Sequence, residues 1–199
     1  MKALTLWPEW AWAILYLGKR WENRPRLPEF YGMRAGDWFC LHAGCSAPTV
    51  DRIEALGFMA RAAGVTSRVS MVNNDFGRVY GQQRFIYQDQ PRRLSVSAPW
   101  REPWMPLGAI VAVCKLGVLR HGSDEPWCSE NSWNWELAQV LSLGVPVACK
   151  GHQGGWNVPP DVLAQVLPQV PQGVQTCFTD PAPRQCGICR NRSEDGCTR

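Results

Sequence analysis

Apolar residues near the start of the chain recur at helical spacing, and further on they gather into short continuous or alternating runs. In residues 8–17, Trp10, Ile14 and Leu17 fall at i, i+4 and i+7 with Ala13 beside them, which predicts a short helix. Pro8 suits the first helical position, Glu9 suits the positive end of the helix dipole, and Gly18 is a natural stop. Residues 37–43 read as a buried strand. Residues 50–63 read as a helix with Thr49 as N-cap, Gly64 as stop and Ile53, Leu56 and Ala60 facing inward. Residues 65–107, broken by Gly77, Gly81, Pro91, Pro99, Pro103 and Pro106, read as a long insertion with room for a hairpin. The clearest strand is 108–116. A polar loop follows at 121–131, then an alternating strand at 133–143 with Trp133, Trp135 and Leu137 on one face. A further short strand at 145–149 and a helix at 159–167, with Val162, Leu163 and Val166 inward, complete the reading.

Strands mixed with a few helices, without regular alternation, argue against a doubly wound sheet. Neither G-x-G-x-x-G nor a P-loop occurs. The expected class is α+β: a small, partly closed mixed barrel with short flanking helices. The 199 residues suffice for one domain with appended segments. Residues 1–167 would form the domain, and 168–199 a Cys-containing C-terminal tail. Hydrophobic content of 45% against 19% charged is globular, and a net charge of +4 permits nucleic acid without demanding it. No apolar run reaches the length of a membrane span, and the N-terminus lacks a secretion pattern. Nine cysteines, an odd number, then point to a reducing cytoplasm. Cys40, Cys114 and Cys149 lie in apolar runs and read as small core residues.

Candidate chemistry begins directly after the first helix, where Lys19, Glu22 and Arg24 follow a K-x-x-E-x-R spacing. Such a cluster can hold a phosphate or the polar edge of a nucleobase; the plainer alternative is a solvated charge run. It is expected on an irregular segment stiffened by Pro25 and Pro28. A second polar group lies at 150–157. There Lys150, His152 and Gln153 sit among Gly151, Gly154 and Gly155, which would let backbone approach a ligand. Eleven tryptophans are the compositional oddity. Most serve a core, but Trp7, Trp21, Trp133 and Trp156 lie in or near the polar motifs. Aromatic faces beside lysine and arginine suit the stacking and phosphate contacts of single-stranded nucleic acid. Trp156 reads equally well as a hydrophobic plug.

Residues 3–14 followed by 18–24 resemble the opening of an ASCH domain, a family of the PUA-like β-barrel superfamily. The resemblance carries its lysine, glutamate and arginine motif onto Lys19, Glu22 and Arg24. Residues 108–113 resemble the family's central strand. Trp135-Glu136-Leu137, Pro146-Val147 and the 150–156 segment resemble its closing G-x-Q-G-x-W block. The resemblance runs in order from about residue 3 to 158 and implies a PUA-like barrel with the motif in a cleft. It implies binding of RNA or a modified nucleobase by Lys19, Glu22, Arg24, Trp7, Lys150, Gln153 and Trp156. It also implies an alternative, a hydrolase of RNA or of a modified nucleoside such as an acetylated cytidine, with Lys19 and Glu22 catalytic. The amidohydrolases carry threonine where this chain has Glu22, whose carboxylate would tend to hold Lys19 charged. They also need another glutamate, for which Glu125, Glu130 and Glu136 are the options.

The segment 168–199, rich in Pro, Gln and Arg, shows no clear apolar period and reads as a flexible extension. Cys186 and Cys189 form a C-x-x-C. With Cys177 and Cys197 they could complete a structural zinc knuckle, beside free thiols or a local disulfide as alternatives.

Overall fold

The computed structural model describes residues 1–46, 55–56, 58–59, 62–64, 93–94 and 105–179. Strand β1 (Lys2–Leu6) leads into helix α1 (Pro8–Tyr16), then β2 (Trp21–Arg24) and a 3-10 turn at Pro28–Tyr31. Strand β3 (Trp38–Ala43) follows. A two-stranded antiparallel pair joins β4 (Arg93–Leu94) to β5 (Met105–Pro106). The long strands β6 (Ala109–His121) and β7 (Trp133–Ala148), the short β8 (Gly155–Asn157), and helices α2 (Pro160–Val166) and α3 (Gln172–Thr179) close the order.

Six strands form one sheet in the order β2-β7-β6-β3-β1-β8. Only β1 and β3 run parallel. The sheet curls into a half-barrel, so the molecule is mixed α+β as expected. Both faces are covered, which explains why β3 is buried at every position and β6 over its first six. On one face Leu4, Phe39, Leu41, Leu116, Trp135 and Leu137 pack with Ile14 of α1. On the other, Cys40, Ile110, Val113 and Trp156 pack with Val162 and Val166 of α2 and Val174 of α3.

Helix α1 starts at Pro8, and Gly18 sits at φ 74°, so the chain reverses without the strain a side chain would bring. The Lys19 N–H then bonds back to the Ala13 carbonyl, six residues earlier, at 3.1 Å and so satisfies one of the last carbonyls of the helix. The helix is more buried than its stripe predicts: Glu9, Ala11 and Trp12 are covered along with Ile14. Glu9, in the first turn where a negative charge suits the helix dipole, is fully buried.

The segment after Gly18 is a strand, not irregular chain. Leu137 N–H bonds the Arg20 carbonyl at 2.7 Å, and residues 21–24 then pair with β7. The two strands expected at 133–143 and 145–149 are one, because register shifts against β6 let the chain bend without breaking. The expected helix at 50–63 is seen in part. Ala55, Leu56, Phe58, Met59 and Ala62 are helical, Leu56 is buried, and Thr49 lies outside the described residues. Most of the expected insertion at 65–107 also lies outside them. The extension expected from residue 168 opens with ordered structure. A 3-10 turn at Leu167–Gln169 leads to α3, and Val170 and Val174 are buried with Phe178 packed beside them. That i, i+4, i+8 stripe was hidden among glutamines and glycine. Among the described residues no helix is long and apolar enough to cross a membrane.

Candidate functional site

The curl brings the edge strand β2 toward the C-terminal end of β1, although three strands, β7, β6 and β3, lie between them in the sheet. Arg24 spans the opening: its Nη2 donates to the Thr5 carbonyl at 3.3 Å. A cavity of about 670 Å³ lies there. One wall comes from Glu22, Asn23 and Arg24 of β2, another from Lys150–Gly154 ahead of β8. Trp7 and Trp10 contribute the start of α1, and Thr5 and His42 the ends of β1 and β3. Two segments about 130 residues apart in sequence thus meet at one cavity.

Glu22 is the electrostatic centre. Its Oε2 lies 3.3 Å from Lys19 Nζ and its Oε1 lies 2.9 Å from Arg24 Nε, the latter an ion contact rather than an aligned hydrogen bond. Lys19 is buried, and its ammonium also donates to the Trp21 carbonyl. Burial pulls the Lys19 pKa down from its ordinary value; Glu22 opposes this, and Arg24 adds to the lowering. Glu22 thus acts to hold Lys19 charged, while loss of hydration acts against it. Lys19 is not part of the cavity wall; it backs Glu22 from within. Glu22 and Arg24 do reach the wall, and Arg24 keeps a fifth of its side chain exposed.

Trp156 does not line the cavity either. It is buried beneath it, with Nε1 donating to Thr5 Oγ1 at 3.0 Å and its ring edge-on to His42 and His152. The plug reading fits its position. Trp7, half exposed, lines the cavity, as do Lys150 and Gln153. Trp21 is covered on one face by the Arg120 guanidinium, 5.1 Å from the ring centre. Gly151 and Gly154 face the cavity, whereas Gly155 is pressed against the Tyr31 backbone.

None of the alternative carboxylates reaches the site. Glu125 pairs with Arg120, and Glu136 accepts from Val118 N–H at 2.9 Å. Glu130 is absent from the wall, where Glu22 is the one carboxylate among the described residues. Of the four cysteines considered for zinc, Cys177 lies on α3, half-buried against the core. Cys186, Cys189 and Cys197 lie outside the described residues.

Thr5, Trp10, Asn23 and His42 were not foreseen. A polar side chain inside an otherwise apolar strand, as in Lys2–Leu6 and Trp38–Ala43, was the available signal for Thr5 and His42. His42 Nε2 faces the Cys149 carbonyl at 3.2 Å, so this nitrogen carries the proton and Nδ1 is an acceptor. Nδ1 is buried without a hydrogen-bond partner, as is Asn23 Oδ1. Burial lowers the His42 pKa, the Cys149 carbonyl raises it, and His152 lowers it further. No model of a known protein family matches this chain, and no curated protein matches it.

Proposed function

We propose that this chain is a nucleic-acid-binding module of the PUA-like, ASCH type that takes an unpaired or modified nucleobase of single-stranded RNA into the Glu22–Arg24 cavity. The observation that carries the reading is the convergence of both polar segments, 22–24 and 150–154, on one concave site. Its volume of about 670 Å³ falls within the range usual for small-ligand pockets, roughly 300–1,000 Å³. Its chemistry suits an extruded base: indole rings of Trp7 and Trp10 for stacking, and Gln153 with donor and acceptor for a base edge. Lys150 and Arg24 supply positive charge for the phosphate.

The hydrolase reading draws on the lowered Lys19 pKa, which favours a reactive amine. Against it, the amine lies behind Glu22, and the cavity wall holds no second carboxylate among the described residues. Binding is therefore the preferred reading. Its test is fluorescence anisotropy with labelled single-stranded RNA at two salt concentrations. Saturable binding that weakens with salt, and falls on Lys150→Ala and Arg24→Gln, is expected. Absence of binding at low salt, or equal affinity in both variants, overturns the proposal. Turnover of an acylated nucleoside that is abolished by Lys19→Met would favour the hydrolase instead.

A further inference from the structure

Register carries the site beyond the cavity. Across the β2-β7-β6 part of the sheet, Arg24 stands opposite Trp133, and Trp133 opposite His121. Directly opposed residues share a sheet face, with Cβ atoms roughly 5 Å apart. The three side chains therefore form one row running outward from the cavity wall, on the same face as Glu22 and Trp135. Trp133 is half-buried with its base against the core, and His121 is exposed. Their rings meet edge-to-face, centroids 5.1 Å apart at 79°. Core packing of Trp133 fixes the first ring; nothing in the core requires an exposed histidine beside it.

We infer that the Arg24–Trp133–His121 row is a second subsite, which seats the nucleotide next to the base held in the cavity. The inference rests on the nucleic-acid reading above and deepens it: the ligand is a strand, not a free nucleoside. Arg24 is the joint between the two subsites. A guanidinium carries five N–H donors, and those not directed at Glu22 or Thr5 can meet the phosphate linking the two nucleotides. The neighbouring base then stacks against the Trp133–His121 pair. Stacking on an aromatic side chain is tolerant of base identity, so this subsite adds affinity without adding much sequence preference.

The test compares a nucleoside monophosphate with short single-stranded RNA on the full chain, using calorimetry for both. In the wild type the oligonucleotide should bind more tightly than the monophosphate. Trp133→Leu, which keeps the core apolar, and His121→Ala should each weaken the oligonucleotide about tenfold and leave the monophosphate unchanged. Trp133→Phe should restore most of the loss, since it restores a stacking face. Arg24→Gln should weaken both ligands. If His121→Ala and Trp133→Leu leave the oligonucleotide-to-monophosphate ratio at its wild-type value, the second subsite is wrong while the cavity reading stands. If the wild type binds neither ligand, both fall.

Discussion

Arg24 donates through Nη2 to the Thr5 carbonyl at 3.3 Å and so bridges the opening of the curled sheet from the edge strand β2 to β1. The same side chain contacts Glu22, which also faces Lys19. One buried carboxylate thus serves two cations, and the balance of that group dictates how the site responds to substitution.

With Glu22 present the three side chains carry one net positive charge. Glu22→Gln leaves two cations close together with Lys19 buried, whereas Lys19→Met leaves a neutral Glu22–Arg24 pair. Loss of one partner from a buried ion pair costs about 3–5 kcal/mol. Glu22→Gln is expected in that range and Lys19→Met well below it. Urea unfolding of both variants checks the order; a larger loss for Lys19→Met contradicts this account of the cluster.

Gly151 lies against the floor of the cavity. A Cβ there would overlap the His42 ring and come within 2.9 Å of Thr5 Oγ1. Gly151→Ala should destabilise by about 1–3 kcal/mol, as overpacking does, and distort the cavity. Gly144→Ala is the control, because its nearest neighbour would be Gln169 Oε1 at 3.9 Å. Thermal melts of the two variants should separate clearly; equal melting temperatures would remove the close approach from the explanation.

His42 makes stability depend on pH in a defined direction. Its folded pKa lies below the ordinary 6.5, first because it is buried. The unfolded chain therefore takes up the proton first as the pH falls. The His42 contribution is full above pH 6.5, declines as the pH drops below that value, and levels off below the folded pKa. His42→Gln should flatten this part of the profile, measured as urea midpoint between pH 5 and 8. The Cys149 carbonyl, His152 and Trp156 surround the ring and should be left in place. A profile unchanged by the substitution would assign the slope to other groups.

Helix α3 is part of the fold and not an appendage. Val170 and Val174 are each about 95% buried against the sheet. Burying a valine side chain is worth about 1.5–3 kcal/mol. Val174→Asp should accordingly cost at least about 2 kcal/mol in equilibrium unfolding. A loss near zero would mean that α3 does not contribute to the core in solution.

The elements with one dominant signal were legible in the sequence. Helix α1 announces itself through Pro8, the Trp10–Ile14–Leu17 spacing and Gly18, and β3 and β6 through their apolar runs. What failed to show had a physical reason. The charged 21–24 segment carries no strand pattern of its own, because β7 supplies its pairing from more than 100 residues away. Val170 just ahead of helix α3, and Val174 and Phe178 on it, are spaced four apart among polar neighbours, too sparse to stand out. Within the site, Glu22, Arg24, Lys150 and Gln153 were readable as polar residues in tight motifs. Which of the candidates face a ligand was not. Lys19 and Trp156 sit behind the wall because the curl of the sheet, invisible in local spacing, decides what is inside.

The most direct test of the central claim is a nuclear magnetic resonance titration of isotope-labelled protein with short single-stranded RNA. The account predicts that the largest amide shifts fall on residues 22–24 and 150–154, with the Trp7 and Trp10 indole signals moving alongside. Shifts confined to other surfaces, or none at saturating RNA and low salt, would contradict it.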